Sequence, residues 1–159
     1  MFRGALLNSG SDPIGTEAIP LPPADLLHRF QESSRVYFLT GDLDMGPRGE
    51  QAESKASLQK FCVFDVQTAA FWRAGHTTAD KHALSAALDA LLDPVPAKRD
   101  GLSECRARNQ SELASAVQRI ETLIASGDKA SARQALTDLD TKFGNLAADQ
   151  ILALEKKLR

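Results

Sequence analysis

The sequence predicts an α/β fold: a partial doubly wound parallel sheet of about three strands, followed by an all-α C-terminal helical extension. Three short apolar runs, at residues 2–10, 36–40 and 61–66, alternate with segments whose composition suits helices. Residues 102–159 show a helical pattern throughout. Alternating strands and helices joined by short loops are typical of parallel sheets with crossover helices.

The first third of the chain contains two strands and one short helix in this prediction. Residues 2–10 form an apolar run ended by turn residues, which suits a buried parallel strand. Residues 11–23 contain five glycine or proline residues, so we expect an irregular connection there. Residues 24–31 predict a helix, and residues 36–40, which are apolar on both faces, predict a central strand.

The middle third completes the predicted sheet. Residues 47–60 have helix-compatible composition and lead into 61–66, the third strand candidate. A helix is expected over residues 78–92, because Leu84, Ala87, Leu88 and Leu91 recur at helical spacing. The proline-containing segment 93–101 is the one credible linker. We therefore divide the chain into residues 1–96 and 97–159.

The helical extension predicts three antiparallel helices. Gly127 ends the first of them and Asp128 caps the second. Gly144 then ends the second helix and Asn145 caps the third.

Composition sets limits on function. A net charge of −2 and a sequence pI near 5.9 provide no basic field, so nucleic-acid binding is not expected. No apolar run is long enough for a membrane span, and residues 1–15 lack the pattern of a signal peptide. The two cysteines, Cys62 and Cys105, are either buried free thiols or a disulfide formed in an oxidising compartment.

Polar residues with catalytic chemistry follow the second and third strands. Gly41-Asp42-Leu43-Asp44 comes after residues 36–40, and Gly75-His76 comes after the third strand candidate. Ligand and catalytic groups of open α/β sheets gather at the carboxyl ends of strands. An acid that precedes a histidine along the chain matches the order of those two triad members in α/β-hydrolases. We therefore predict Asp44 and His76 as catalytic residues, with Asp42 as the alternative acid.

Residues 2–15, 36–44 and 73–80 resemble the closing strands of secreted bacterial α/β-hydrolases, most closely the polyhydroxybutyrate depolymerase and feruloyl esterase-like group. The resemblance covers about residues 2–92. It implies a serine esterase in which Asp44 orients the general base His76. It also implies an ester-type small-molecule or polymer substrate and a parent protein that is periplasmic or secreted.

The nucleophile of such an enzyme is missing from the pattern, because no Gly-x-Ser-x-Gly occurs in the sequence. Ser9 and Ser11 stand in a turn rather than between a strand and a helix. We therefore expect a truncated serine hydrolase that is inactive alone and self-associates through an exposed sheet edge. The alternative is a non-enzymatic α/β module whose helical tail binds another protein, with Asp44 and His76 as structural residues.

Metals and cofactors are not expected. The sequence has no paired His or Cys at ligand spacing, no calcium-loop pattern and no glycine-rich phosphate loop. We expect His28 and His82 at the surface of helices, while Phe71 and Trp72 either line a cleft or fill the core.

Overall fold

The computed structural model describes residues 4–10 and 12–159. Phe2 and Arg3, predicted in the first strand, and Ser11 lie outside these residues. The elements follow in the order β1 (Gly4–Asn8), α1 (Ala24–Ser33), β2 (Arg35–Gly41), α2 (Met45–Lys60), β3 (Val66–Phe71), α3 (Lys81–Leu92), α4 (Leu102–Ala125), α5 (Lys129–Phe143), a 3₁₀ helix (Gly144–Ala147) and α6 (Ala148–Leu158). The prediction of a mixed α/β fold with a parallel sheet and a helical C-terminal part is confirmed.

Among the described residues the sheet has three parallel strands in the order β1-β2-β3. Leu7 of β1 lies opposite Phe38 of β2, and Phe38 in turn lies opposite Thr68 of β3. Six of the seven residues of β2 are buried, as expected for the central strand. Parallel pairing brings the carboxyl ends of all three strands to one edge of the sheet.

Helices α2 and α3 cover opposite faces of this sheet. Leu39 packs in a cluster with Phe71 and with Ala87 of α3. The next residue, Thr40, lines a pocket together with side chains of α2. Successive strand residues point to opposite faces, so the two helices lie on different sides of β2. A sheet covered on both faces explains the continuous apolar run of residues 36–39.

The prediction that residues 61–66 form the third strand is wrong. Phe61, Cys62 and Val63 form the turn that ends α2, and the N–H groups of Cys62 and Val63 donate to carbonyls of that helix. The three side chains are buried, which explains why the segment resembles a strand in the sequence. The true strand, Val66–Phe71, lies at the sheet edge and exposes Gln67 and Thr68, so its apolar signal is weak.

Two helix caps show how local chemistry sets the helix boundaries. Asp80 accepts a hydrogen bond from the Ala83 N–H, so α3 begins at Lys81 rather than at residue 78. Asp128 caps α5 as predicted, by accepting from the Ser131 N–H. The predicted cap of the last helix by Asn145 is wrong, because Asn145 lies within the 3₁₀ helix and α6 begins at Ala148.

A buried ion pair anchors the start of β2. Arg35 Nε donates to Asp65 Oδ2 at 2.9 Å, and both side chains are buried. The Arg35 guanidinium also donates to three backbone carbonyls at the end of α3 and just beyond it, those of Ala90, Asp93 and Val95. The pair therefore joins the central strand to the end of α3.

Two compact units divide the chain. The first contains the described residues of Met1–Pro13 together with His28–Leu102, and the second contains Ile14–Leu27 and Ser103–Arg159. In the second unit Leu21 is fully buried and its carbonyl accepts from the Asn145 N–H. Residues 11–23 were predicted as a connection and residues 24–31 as a helix, and the packing of residues 14–27 with the helical extension was not predicted.

The cysteine alternatives are resolved, because Cys62 and Cys105 are both disulfide-bonded and neither is a free thiol. None of the helices in residues 4–10 and 12–159 combines the length and apolar character needed to cross a membrane.

Candidate active site

The candidate site lies at the carboxyl edge of the sheet, where β2 and β3 end. Asp44 is the last residue before α2, three positions beyond the end of β2. His76 follows β3 by five positions. The structure thus brings together the two residues that sequence analysis selected, although they are 32 positions apart in the chain.

Backbone hydrogen bonds connect the two loops that contain these residues. The Asp42 N–H donates to the Phe71 carbonyl at 3.0 Å, and the Leu43 N–H donates to the Ala74 carbonyl at 2.9 Å. A side chain at Gly41 would overlap the carbonyl oxygens of Ala74 and the residue after it. Glycine therefore permits the close approach that aligns the acid and the histidine.

His76 and Asp44 form a direct pair. The distance from His76 Nδ1 to Asp44 Oδ2 is 3.0 Å, and the Asp44 side chain is 11% exposed while that of His76 is 69% exposed. A carboxylate only accepts hydrogen bonds, so this contact requires the proton of a neutral imidazole to lie on Nδ1. Nε2 is then the basic ring nitrogen, as in a general base oriented by an acid.

Asp44 stands at the N-cap position of α2 but does not cap the helix. Its backbone has φ −89° and ψ 75°, and its side chain makes no capping hydrogen bond. An aspartate at this position ordinarily accepts from an N–H in the first turn. The Asp44 carboxylate instead contacts the imidazole, which distinguishes Asp44 from Asp80 and Asp128, whose side chains do cap helices.

Asp42, the alternative acid, contacts a different group. Its Oδ1 accepts from the Ala74 N–H at 3.1 Å, and its carbonyl accepts from Arg48 at 3.3 Å. The structure therefore pairs Asp44 with the histidine and uses Asp42 to hold the loop that precedes His76.

Hydrogen bonds from the end of β1 hold the segment that follows His76. These contacts were not predicted from the sequence. Asn8 Nδ2 and Ser9 Oγ both donate to the Thr77 carbonyl, at 3.0 and 3.1 Å, and Asn8 Oδ1 accepts from the Ala79 N–H at 2.6 Å. Ser9 has a positive φ of 51°, which is uncommon for a residue with a side chain. The sequence signal was an asparagine directly after an apolar run, where a turn was the simpler interpretation.

Large apolar side chains lie exposed in the same two loops and at the start of α2. Trp72 is 74% exposed, and Leu43 and Met45, on either side of Asp44, are also exposed. The Arg73 guanidinium lies 4.2 Å from the centre of the Trp72 ring. Of the two residues left open by sequence analysis, Phe71 is buried in the core and Trp72 is at the surface. His28 and His82 are exposed on their helices.

The described part of the chain contains no group of three or more His, Cys, Asp or Glu residues arranged to hold a metal ion. Comparisons with protein-family models, with curated proteins and with solved structures found no match for this chain.

Proposed function

We propose that Asp44 and His76 are the acid and general base of a serine-type carboxylic ester hydrolase whose Gly-x-Ser-x-Gly nucleophile is not present in this sequence. The contact between His76 Nδ1 and Asp44 Oδ2 carries this proposal. It fixes the imidazole tautomer that a general base needs and leaves Nε2 to exchange a proton with the nucleophile and the leaving group.

The proposed chemistry is acyl transfer. His76 Nε2 takes the proton of a serine hydroxyl as the serine oxygen attacks the ester carbonyl, and it then gives that proton to the departing alcohol. Asp44 stabilises the imidazolium that exists between these two transfers. A water molecule attacks the acyl-enzyme in the second half of the reaction, again with His76 as the base.

The strand arrangement supports an α/β-hydrolase type of sheet. Three strands that are consecutive in the chain are also neighbours in the sheet and run parallel, with the acid after the second and the histidine after the third. That order and those positions are what the family's closing strands require.

Ser9, whose hydroxyl contacts the residue after His76, is not a convincing nucleophile. Ser9 Oγ donates its proton to the Thr77 carbonyl, and Ser9 follows a strand without leading into a helix. We therefore expect the chain alone to show no saturable hydrolysis of p-nitrophenyl butyrate. Saturable hydrolysis that Ser9→Ala or Ser11→Ala abolishes would contradict the missing nucleophile.

Carbethoxylation by diethyl pyrocarbonate tests the dyad without requiring turnover. The reagent attacks the unprotonated nitrogen of a neutral imidazole, and a carboxylate that accepts from Nδ1 makes Nε2 more nucleophilic. At a pH where both rings are neutral we therefore expect His76 to react several-fold faster than His82, which is also exposed, on α3. Peptide mass spectrometry resolves the two sites. Asp44→Asn should reduce the His76 rate to that of His82, whereas Asp42→Asn should leave His76 faster.

Either of two results would refute the proposal. One is a His76 rate no greater than that of His82 in the unmodified chain. The other is a His76 rate that Asp44→Asn does not change, because Asp44 would then have no role in activating the imidazole.

A protein-binding function is the second candidate, and the exposure of Leu43, Met45 and Trp72 favours it. Clustered exposed apolar side chains often mark an interaction surface. Under this hypothesis the Asp44–His76 pair only shapes the loops. Two results together would favour this candidate. The His76→Gln variant would fold normally, and His76 of the unmodified chain would react with diethyl pyrocarbonate no faster than His82.

A further inference from the structure

A pocket of about 410 Å³ lies on the sheet face covered by α2. Its wall on the sheet side includes Thr40 and Thr68, and its wall on the helix side includes Arg48, Gln51 and Lys55. Neither Asp44 nor His76 is among its lining residues, so the pocket is separate from the candidate active site. Its volume falls within the range of small-molecule sites.

Two buried polar groups in this pocket lack partners among the described residues. Thr40 Oγ1 and Gln51 Nε2 make no hydrogen bond there, although Thr40 is 1% exposed and Gln51 is 5% exposed. Leaving a buried polar group without a hydrogen bond is costly, and native proteins rarely tolerate it without a reason. A ligand that supplies acceptors to both groups would remove this cost.

The unpartnered groups and the charged residues favour the same kind of ligand. The amide Nε2 can only donate, and the threonine hydroxyl can donate. Arg48 and Lys55 add cationic donors from the same face of α2, and only one Arg48 nitrogen is used by its hydrogen bond to the Asp42 carbonyl. Guanidinium groups bind carboxylate and phosphate oxygens with two parallel hydrogen bonds.

We propose that this pocket binds the oxyanion of a small organic molecule, a carboxylate or a phosphate ester. Thr40 and Gln51 donate to the oxyanion from the buried end, and Arg48 and Lys55 neutralise its charge. Three alanine residues complete the lining and leave room for a short apolar group. The inference does not depend on the proposed hydrolase function, because it shares no residue with the Asp44–His76 pair.

Nuclear magnetic resonance titration of the full chain tests this proposal with defined probes. Butyrate and phenyl phosphate represent the two oxyanions, and butyramide is the neutral control. We expect saturable shifts of the Gln51 side-chain amide and of the Thr68 backbone amide with one or both anions and none with butyramide. The anion that binds more tightly identifies the ligand class.

Variants of Thr40 and Gln51 test whether these groups bind a ligand, because their expected effects on anion affinity and on stability have opposite signs. Thr40→Val and Gln51→Met remove unpartnered polar atoms with little change in volume, so we expect equal or greater stability without ligand. Each should weaken anion binding by about tenfold, the effect of losing one hydrogen bond to a charged group. Thr40→Ser keeps a hydroxyl and should keep binding, and Lys81→Gln, outside the pocket, is the control for charge.

Three results would overturn the proposal. They are the absence of saturable shifts with both anions, equal shifts with butyramide, and full affinity in Thr40→Val and Gln51→Met. The last of these would show that the anions bind only to exposed cations, with the buried groups solvated by water.

Discussion

The Asp44 side chain could either cap α2 or pair with the His76 imidazole, and it does the second. At the first position before a helix, an aspartate carboxylate usually accepts from the helix backbone, as those of Asp80 and Asp128 do. The Asp44 carboxylate contacts His76 and leaves α2 without a side-chain cap. The third residue after the aspartate, whose N–H donates to Asp80 and to Asp128, is Pro47 after Asp44, and proline has no backbone N–H. The Asp44 carboxylate is therefore available for the contact with His76.

Gly41 provides a prediction at the residue scale. We expect Gly41→Ala to destabilise the first unit by about 1–3 kcal/mol, because the added methyl group would overlap two loop carbonyls. The same displacement should separate Asp44 from His76 and lower the His76 carbethoxylation rate. Urea unfolding followed by Trp72 fluorescence measures the stability.

The matched control is Gly49→Ala. Gly49 lies within α2, and a methyl group there would meet nothing within 4 Å. Alanine should therefore stabilise the helix by about 0.5–1 kcal/mol. Equal effects of the two substitutions would show that close loop approach at Gly41 is unimportant.

Arg35 and Asp65 give a prediction at the scale of elements, because they join β2 to the end of α3. Arg35→Met leaves the Asp65 carboxylate buried without its cation, and we expect a loss of about 3–5 kcal/mol in unfolding free energy. Arg29→Met, at an exposed arginine of α1, should change stability little. A loss below 1 kcal/mol for Arg35→Met, measured by urea unfolding, would contradict this role.

The cap of α5 gives a prediction with a pH dependence. Hydrogen bonds from the side chain and then from the backbone N–H of Ser131 hold the pKa of Asp128 below its usual value of 3.8. A lowered pKa in the folded state means that the ionised cap stabilises the fold above pH 3.8 and that this contribution disappears as the pH falls through the folded pKa.

Asp128→Ala should therefore reduce stability at neutral pH, and the difference from the unmodified chain should vanish in acid. Asparagine caps helices about as well as aspartate but does not titrate, so Asp128→Asn should be about as stable as the unmodified chain at neutral pH and more stable than it in acid, where the unmodified chain has lost its ionised cap. Urea unfolding followed by far-ultraviolet circular dichroism measures both. A deficit for Asp128→Ala that is constant with pH would contradict this account.

The elements also show where sequence reasoning is sufficient and where it is not. Strand β2 was predictable because a central strand is apolar on both faces. Strand β3 was misplaced because the buried turn Phe61–Val63 is more apolar than the edge strand that follows it. An apolar run in a sequence indicates burial rather than strand conformation. Here the buried apolar run lies a few residues before the strand itself.

The site was only partly predictable for a related reason. Asp44 and His76 could be found because parallel strands bring their carboxyl ends together, which is a rule about topology. The support from Asn8, the ion pair of Arg35 and the pocket at Thr40 all depend on contacts between residues far apart in the chain. Residue spacing contains no signal for such contacts.

At the scale of the whole molecule, the outer edge of β1 provides a prediction about association. Among the described residues β1 pairs only with β2, and Ala5 on this edge strand is exposed. We expect concentration-dependent self-association in sedimentation velocity, because unpaired strand edges recruit other strands. Ala5→Lys should reduce it, whereas Ala86→Lys on α3 should not. A chain that stays monomeric at all concentrations would contradict the expectation.

The proposed acid–base role of His76 depends on Asp44 fixing the tautomer of its imidazole. Nitrogen-15 nuclear magnetic resonance of the histidine rings, at a pH where they are neutral, measures this directly. We predict that His76 carries its proton on Nδ1, that His82 carries its proton mainly on Nε2, and that Asp44→Asn removes the difference. A His76 ring that is protonated on Nε2 in the unmodified chain would contradict the proposed acid–base role.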